Sequence, residues 1–554
     1  MENNKNGINC ECVNAEKSVN AEESVNAGNA AKAAKAKHAA TAHLKKRPSA
    51  LLSFTPIALL VIMLVATIRA FGSDSLAGAS QVTLIAVSAF CVLIGMGYLN
   101  VPWSSFEKAI TKNVSSVSSA LIILLLIGAL GGAWMVSGVV PTLIYYGMHI
   151  IHPSVFLAST CLICALVSLM TGSSWTTIAT IGIALMGIGR AQGFADGWVA
   201  GAIISGAYFG DKISPLSETT TLASGSLGVQ LFSHIRYMLL TTVPSITLAL
   251  IIFAVAGLTI DTTETQEVAS FMAALSGRFN ITPWLLVVPV ATGVLIARKT
   301  PPIVTIFLST LLAVACGLIF QREALAEIDP SMFKAAMMSV YGETTLSTSN
   351  QMLTELVSTR GMAGMTDTIW LIICAMCFGG TMAASGMVGG ITRLFIHMVK
   401  GRTSLVASTA TTGVMLNVAI ADQYLCILLT GNMFRDVYDR ENYERRLLSR
   451  TTEDAVTVTS VLVPWNTCGM TQSTVLGVAT TTYLPYCFFN IISPIMSVVV
   501  AAIGFKIFRK GEAQNYRSVV TRLPQRGNNV TAYWLYCYQC AVTHIKSTYS
   551  ILLR

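Results

Sequence analysis

Charge is scarce in this 554-residue chain: Asp, Glu, Lys and Arg together make up only 11% of it. A soluble domain carries about 25%, so a water-soluble globule of this length is excluded. Other signatures are missing too. There is no ordered nucleophile–base–orienter set, and the seven histidines sit mostly at span ends or in tails, which argues against an enzyme. No nucleotide-binding loop is present, so any work the chain performs must draw on an ion gradient. No basic patch is interleaved with aromatics, so the net charge of +9 does not point to nucleic acid. The thirteen cysteines are scattered and imply no disulfide framework. Cys161-x-x-Cys164 and Cys374-x-x-Cys377 fall inside apolar runs and read as small packing residues. Cys537-x-x-Cys540 has only His544 nearby, short of the four ligands a zinc site wants. No signal-peptide cleavage pattern is present, and the first apolar run starts too late and runs too long for one.

What the chain has in abundance is apolar sequence. Hydrophobic residues are 53% of the total, and the mean hydropathy is +0.64. Runs such as Pro56 to Phe71, Val82 to Leu99, Val114 to Met135, Met238 to Leu258 and Ile303 to Phe320 recur along the chain. Each is close to the roughly 20 residues of a bilayer helix. The expected fold class is an all-α polytopic membrane protein with roughly 11–13 spanning or half-spanning helices. The 42 glycines fit that class, because small residues let helices approach closely in lipid.

Three regions follow. Residues 1–49 form a low-complexity basic tail, with the hexapeptide repeat CVNAEK, SVNAEE, SVNAGN from Cys12, too poor in hydrophobic bulk to fold. Residues 50–508 form the membrane domain, and 509–554 a C-terminal tail to which the sequence assigns no role. Lys32, Lys35, Lys37, Lys45, Lys46 and Arg47 precede the first span and place the N-terminus in the cytoplasm. Glu107, Lys108 and Lys112 return to that side after two crossings. The five arginines between Arg435 and Arg450 are expected there as well, and Arg509 and Lys510 put the C-terminus there.

Against this background one stretch stands out. GAYFGDKISPLSETTTLAS, Gly206 to Ser224, carries Asp211, Lys212 and Glu218 within an apolar region, where ionisable groups are expensive. Pro215 cannot sit in an unbroken helical ladder, so Lys212 to Ser217 is expected to break the helix. Irregular backbone at membrane depth survives only where it is buried in protein or lines a cavity. Secondary transporters use such breaks to hold ions. Asp211 and Glu218 supply carboxylates, and Ser214, Ser217, Thr219, Thr220 and Thr221 supply hydroxyls. The set suits a small hard cation and protons. A structural pairing of Asp211 with Lys212 is the plainer alternative, but adjacent helical residues do not face each other, so Lys212 must meet Glu218 or a partner elsewhere.

A second Pro-broken stretch, TEDAVTVTSVLVPWNTCGMTQS from Thr452 to Ser473, carries Glu453, Asp454, Asn466 and Thr467. Each is preceded by a polar-interrupted span: SLMTGSSWTTIATIG, with Ser173 and Ser174, and LNVAIADQYLCILLTG, with Asn417 and Asp422. The order recurs roughly 240 residues apart, as in transporters built from two repeats. The halves are placed at about 80–258 and 283–508. Asp454 is read as a site residue. Asp422 either binds an ion or orients a helix, and Glu453 reads as a first-turn acid favoured by the helix dipole.

GAYFGDKISPLSETTTLAS, TGSSWTTIATIG, TEDAVTVTSVLVPWNTCG and YLPYCFFNIISP together resemble the NhaC-type Na+/H+ antiporters of bacteria, over roughly residues 50–508. The resemblance implies two inverted repeats with broken helices and re-entrant hairpins, and a bacterial cytoplasmic (inner) membrane location. It implies exchange of cytoplasmic Na+ for external H+ through shared buried carboxylates, with Na+ at Asp211, Glu218 and their neighbours. The ion-binding set is then Asp211, Glu218, Ser214, Thr219, Thr220, Asp454, Asn466, Thr467, Asp422, Ser173 and Ser174. Na+ and H+ are the transported ions, no cofactor is expected, the lipid bilayer surrounds the chain, and a homo-oligomer stays an open option. Where relatives often carry Asp, this chain has the longer Glu218. A proton-malate/Na+-lactate antiporter of the same family is the alternative. It ranks second because the sequence offers no arginine in the core to clamp a carboxylate, Lys212 being the one core cation near the site. A passive cation channel, which also uses acidic filters, ranks third.

Overall fold

The computed structural model describes residues 47–71, 78–259, 265–298 and 300–510. The expected tails therefore lie outside the described residues, apart from a few positions at their inner ends. Among the described residues the fold is built of helices, with isolated bridges at Thr344–Thr359 and Tyr443–Arg509 in place of any sheet. Among the described residues eight helices are long and apolar enough to cross a membrane, and ten if each of two bent pairs is one span. A backbone in lipid must satisfy its own hydrogen bonds, and the helix does so within one segment. The protein is an all-α polytopic membrane protein.

The site is positioned by interrupted segments, two of which open with helices counted among those spans, Pro153–Thr171 and Arg402–Ile420. Pro153–Thr171 ends at Gly172, and a new helix starts at Ser174 and runs through the π-helical turn Ile178–Gly182 to Ala191. Asp196–Ile213 stops at Ser214, and Glu218–Ser226 resumes after Pro215. Arg402–Ile420 stops at Ala421, and Gln423–Arg440 resumes after Asp422. Arg445–Thr452 continues through the π-helical stretch Glu453–Thr457 and the short Ser460–Leu462 turn, breaks around Pro464, and resumes as Thr467–Leu476. Both Pro-containing stretches are thus breaks, as the sequence predicts.

These four breaks form two matched pairs. The left-handed residues Gly138, Gly172 and Gly228 have left-handed counterparts at Gly386, Ala421 and Gly477, each 248 or 249 positions later. Ser217 caps the half-helix after the second break through Thr220 N, and Asn466 does the same for the fourth through Cys468 N, again 249 positions on. The hydrogen bonds match as well. Ser168 Oγ donates to Ala207 O and Asn417 Nδ2 to Val456 O, at 2.6 and 2.8 Å. Leu169 O accepts from Ser214 Oγ and Val418 O from Trp465 Nε1, at 2.9 and 2.8 Å. In each half, then, the side chain of one break is tied to the backbone of the other.

Two glycine contacts set this geometry. Pro153–Thr171 and Asp196–Ile213 pack so closely that a Cβ on Gly206 would lie 2.0 Å from Cys161 O. Gly172, at φ +68°, lies against the Leu216 backbone, which a Cβ would meet at 2.7 Å. The first and second breaks therefore cross in contact.

The arginine-rich segments gather at one end of the bundle. Arg393 donates to Pro48 O, Arg402 to Ala502 O and Arg435 to Ser226 O. Tyr237 Oη donates to Lys506 O, and Glu444 N to Phe508 O. At the other end Gly257 abuts Ser154 O and Gly189 abuts Phe156.

Candidate functional site

Asp211 sits in the last turn of Asp196–Ile213, buried, and points across the first break. Its Oδ2 accepts from Ser174 N at 3.2 Å and from Ser174 Oγ at 2.7 Å. Ser173, beside it, caps the same turn by accepting from Thr176 N. Ser217 Oγ shares a hydrogen bond with Thr219 Oγ1 (3.0 Å), and Thr220 Oγ1 donates to Lys212 O (3.0 Å). Ser214 serves the crossing at Leu169. The two breaks of the first half thus bring Asp211, Ser173, Ser174, Ser214, Thr219 and Thr220 into one oxygen-rich crossing. Among the described residues no three His, Cys, Asp or Glu side chains gather as a metal centre. The donors here are one carboxylate with hydroxyls and carbonyls, a set matched to a hard monovalent cation rather than a tightly held divalent one.

Glu218 departs from the expected buried position. It begins the half-helix after the second break, and its side chain turns outward and is exposed. Its Oε2 accepts from Tyr424 Oη at 3.1 Å. Tyr424 belongs to the helix after the third break, so this contact joins the two halves. Glu218 lies within electrostatic reach of Asp211, at an accessible position and not beside it in the core.

The residue next to Asp211 faces the other way. Lys212, fully buried, forms an ion pair with Asp454 Oδ1 and donates to Ser493 Oγ at 3.0 Å. Asp454 Oδ1 also accepts from Thr241 Oγ1 at 3.1 Å, and its Oδ2 lies 3.8 Å from Arg450 Nε. The partner of Lys212 is therefore Asp454, in the other half of the chain, and Asp454 is committed to cations of the protein.

Arg450 corrects the expectation that Lys212 is the lone core cation. It is fully buried, with its guanidinium over the Tyr237 ring (4.6 Å to the centroid) and all three of its nitrogens lacking a hydrogen-bond partner. Glu453 corrects another. It is not in a first turn, because the helix Arg445–Thr452 precedes it and it opens a π-helical stretch. It is fully buried, and neither carboxylate oxygen has a hydrogen-bond partner. Isolated charges are costly in such surroundings, so Lys212, Arg450, Glu453 and Asp454 are best understood as one buried cluster of two cations and two acids.

The remaining candidates serve the backbone. Asp422 Oδ1 accepts from Leu425 N (2.8 Å), the cap equivalent to Ser173 in the first half. Asn466 Nδ2 donates to Asn417 O (3.2 Å), and Thr467 N donates to Ala421 O (2.9 Å), so the third and fourth breaks are tied to each other.

The Na+/H+ antiporter family matches residues 19–205 and 206–505 of this chain. The Na+/H+ antiporter NhaC of Alkalihalophilus pseudofirmus is 36% identical over 430 residues, 77% of this chain and 92% of that protein. The NhaC antiporter of Bacillus subtilis is 34% identical over 72% of this chain and 87% of its own length. The malate-2H+/Na+-lactate antiporter of Bacillus subtilis is 34% identical over 76% and 89%. With a family match over most of the membrane domain and relatives aligned over nearly their whole lengths, the chain belongs to the Na+/H+ antiporter family.

Proposed function

We propose that this protein exchanges Na+ for H+ across the bacterial cytoplasmic membrane and that Asp211 is the shared site. The observation that carries the reading is a buried carboxylate at the crossing of two broken helices, bonded to Ser174 and set among serine and threonine hydroxyls. A bound proton removes the charge that holds Na+, so the two ions exclude each other. An empty, ionised site would carry a bare charge across an apolar barrier, whereas either loaded form crosses neutral. Obligatory exchange follows from one carboxylate. Glu218, at an accessible position and bonded to Tyr424, is suited to receiving the cation before it reaches Asp211.

The matched breaks support two repeats. Opposite insertion is supported by the ends of the helices. Pro153–Thr171 starts at the Ser154–Gly257 end, and Arg402–Ile420 starts at the arginine-rich end. Both hairpins then enter from opposite faces, and the arginine-rich face is cytoplasmic by the positive-inside tendency.

Arg450 favours a second reading. A buried guanidinium with free donors is what an organic carboxylate would require, and a malate/lactate antiporter is among the relatives. One experiment separates the two. In proteoliposomes with an imposed pH gradient, Na+ movement without added anion supports Na+/H+ exchange, and Asp211→Asn abolishes it. Movement that requires malate or lactate would replace it with the anion reading.

A further inference from the structure

Beyond Asp211 lies a second group of buried polar atoms for which the exchange site has no use. Tyr208 is one turn before Asp211 on the same helix, fully buried, and its hydroxyl has no hydrogen-bond partner. It faces the Cys468 thiol, which donates to Gln423 Oε1 at 2.6 Å. Gln472 lies one turn beyond Cys468, on the same face of Thr467–Leu476. It too is fully buried, and neither its Oε1 nor its Nε2 has a partner. Thr467–Leu476 packs against the π-helical turn Ile178–Gly182 that follows the first break. Tyr208 and Gln472 thus approach Cys468 from the two halves of the protein.

Native proteins pair nearly all buried polar groups. In a membrane core no bulk water makes up the deficit. A tyrosine hydroxyl one turn from Asp211 and a carboxamide one turn from the thiol it faces, both unsatisfied, therefore need a partner in the working protein. Neutral oxygens of this kind strip part of a hydration shell from a small cation without trapping it as a carboxylate would. Their direction along the chain is informative. From Asp211 through Tyr208, Asp196–Ile213 runs away from the arginine-rich face, and Thr467–Leu476 runs the same way, to Gly477 beside Arg190.

We propose that Tyr208 and Gln472 form a neutral station for a partly dehydrated Na+ on the side of Asp211 away from the arginine-rich face, where the cation rests between the carboxylate and the opposite face. Because this rests on the Na+/H+ reading, the test must separate the two. Na+-dependent H+ movement is measured in right-side-out and inside-out membrane vesicles carrying the unsubstituted protein, Tyr208→Phe or Gln472→Leu. Tyr208→Phe removes one oxygen and little else, so it keeps the test informative if Gln472→Leu fails to insert. Each variant is expected to raise the apparent Na+ KM about tenfold when Na+ is presented at the face opposite the arginine-rich one, and by less than roughly twofold at the arginine-rich face, because each neutral ligand is worth on the order of one hydrogen bond. Equal shifts at both faces would mean a general packing defect, and no shift at either would mean that water satisfies these groups. Either result overturns the station while leaving Asp211 in place. Absence of Na+-dependent exchange in the unsubstituted protein would instead remove the function, and the station with it.

Discussion

Asp454 faces two buried cations, Lys212 in an ion pair and Arg450 at 3.8 Å. Removing it strands both, whereas removing Lys212 leaves Asp454 with Arg450 and Thr241. The two substitutions should therefore be unequal, although each breaks the same pair. Breaking a buried pair by deleting one member costs about 3–5 kcal/mol when the survivor is left uncompensated. Asp454→Asn belongs at or above the top of that range. Lys212→Met leaves a compensated acid, and about 1–3 kcal/mol is expected, the cost of an imperfectly satisfied buried group. Adding Lys212→Met to Asp454→Asn should restore part of the loss, since one stranded cation is then gone, but not all, because Arg450 remains. The assay is thermal unfolding of the purified protein in a fixed detergent. At about 2 °C per kcal/mol, Asp454→Asn should lower the midpoint by about 10 °C or more and Lys212→Met by about 2–6 °C. Equal midpoints, or Lys212→Met the more damaging of the two, would show that Arg450 does not share Asp454.

Three other outcomes follow from named contacts. Glu453→Gln should lower the unfolding midpoint less than Asp454→Asn does, because it removes one acid from the buried cluster but no hydrogen bond to its oxygens, and should lower the exchange rate at least several-fold by altering the charge balance beside Lys212; a stability loss with normal transport would make Glu453 structural. Gly172→Ala should abolish exchange, since a left-handed backbone and the Leu216 contact both resist a Cβ, and wild-type rates would mean that the crossing of the breaks is not needed. Tyr424→Phe should weaken apparent Na+ affinity less than Asp211→Asn does, measured by Na+ titration of exchange, and equal losses would place Glu218 at the core of the site.

The breaks were legible in the sequence because proline and clustered hydroxyls within an apolar run have few structural explanations. The pairing of Lys212 was not. It meets a residue 242 positions away, and successive helical residues diverge by about 100°, so Asp211 and Lys212 serve different clusters despite being neighbours. Arg450 was hidden among five arginines of a segment that reads as a charged loop. Its spacing of four from Asp454 is the signal that could have exposed it, because those positions share a helical face. Glu453 looked like a helix-start acid only because the helix before it is short and polar. The sequence places Glu218 inside because it follows the break closely, yet the first residue of the new half-helix turns outward. The repeat was visible as an order of motifs, but its register came from backbone landmarks, since Gly172 and Ala421 share a conformation and not a residue type.

The central claim is that Na+ and H+ compete for Asp211. It is tested most directly by measuring Na+-driven H+ movement in proteoliposomes at stepped Na+ concentrations across several pH values. Below the pH at which the carboxylate begins to hold its proton, protonation must be displaced before Na+ binds, so apparent Na+ affinity should fall as pH is lowered. The rate at saturating Na+ should change much less on that acid side. An apparent affinity that stays flat while only the maximal rate responds to pH would put the protons on other residues and contradict the shared site.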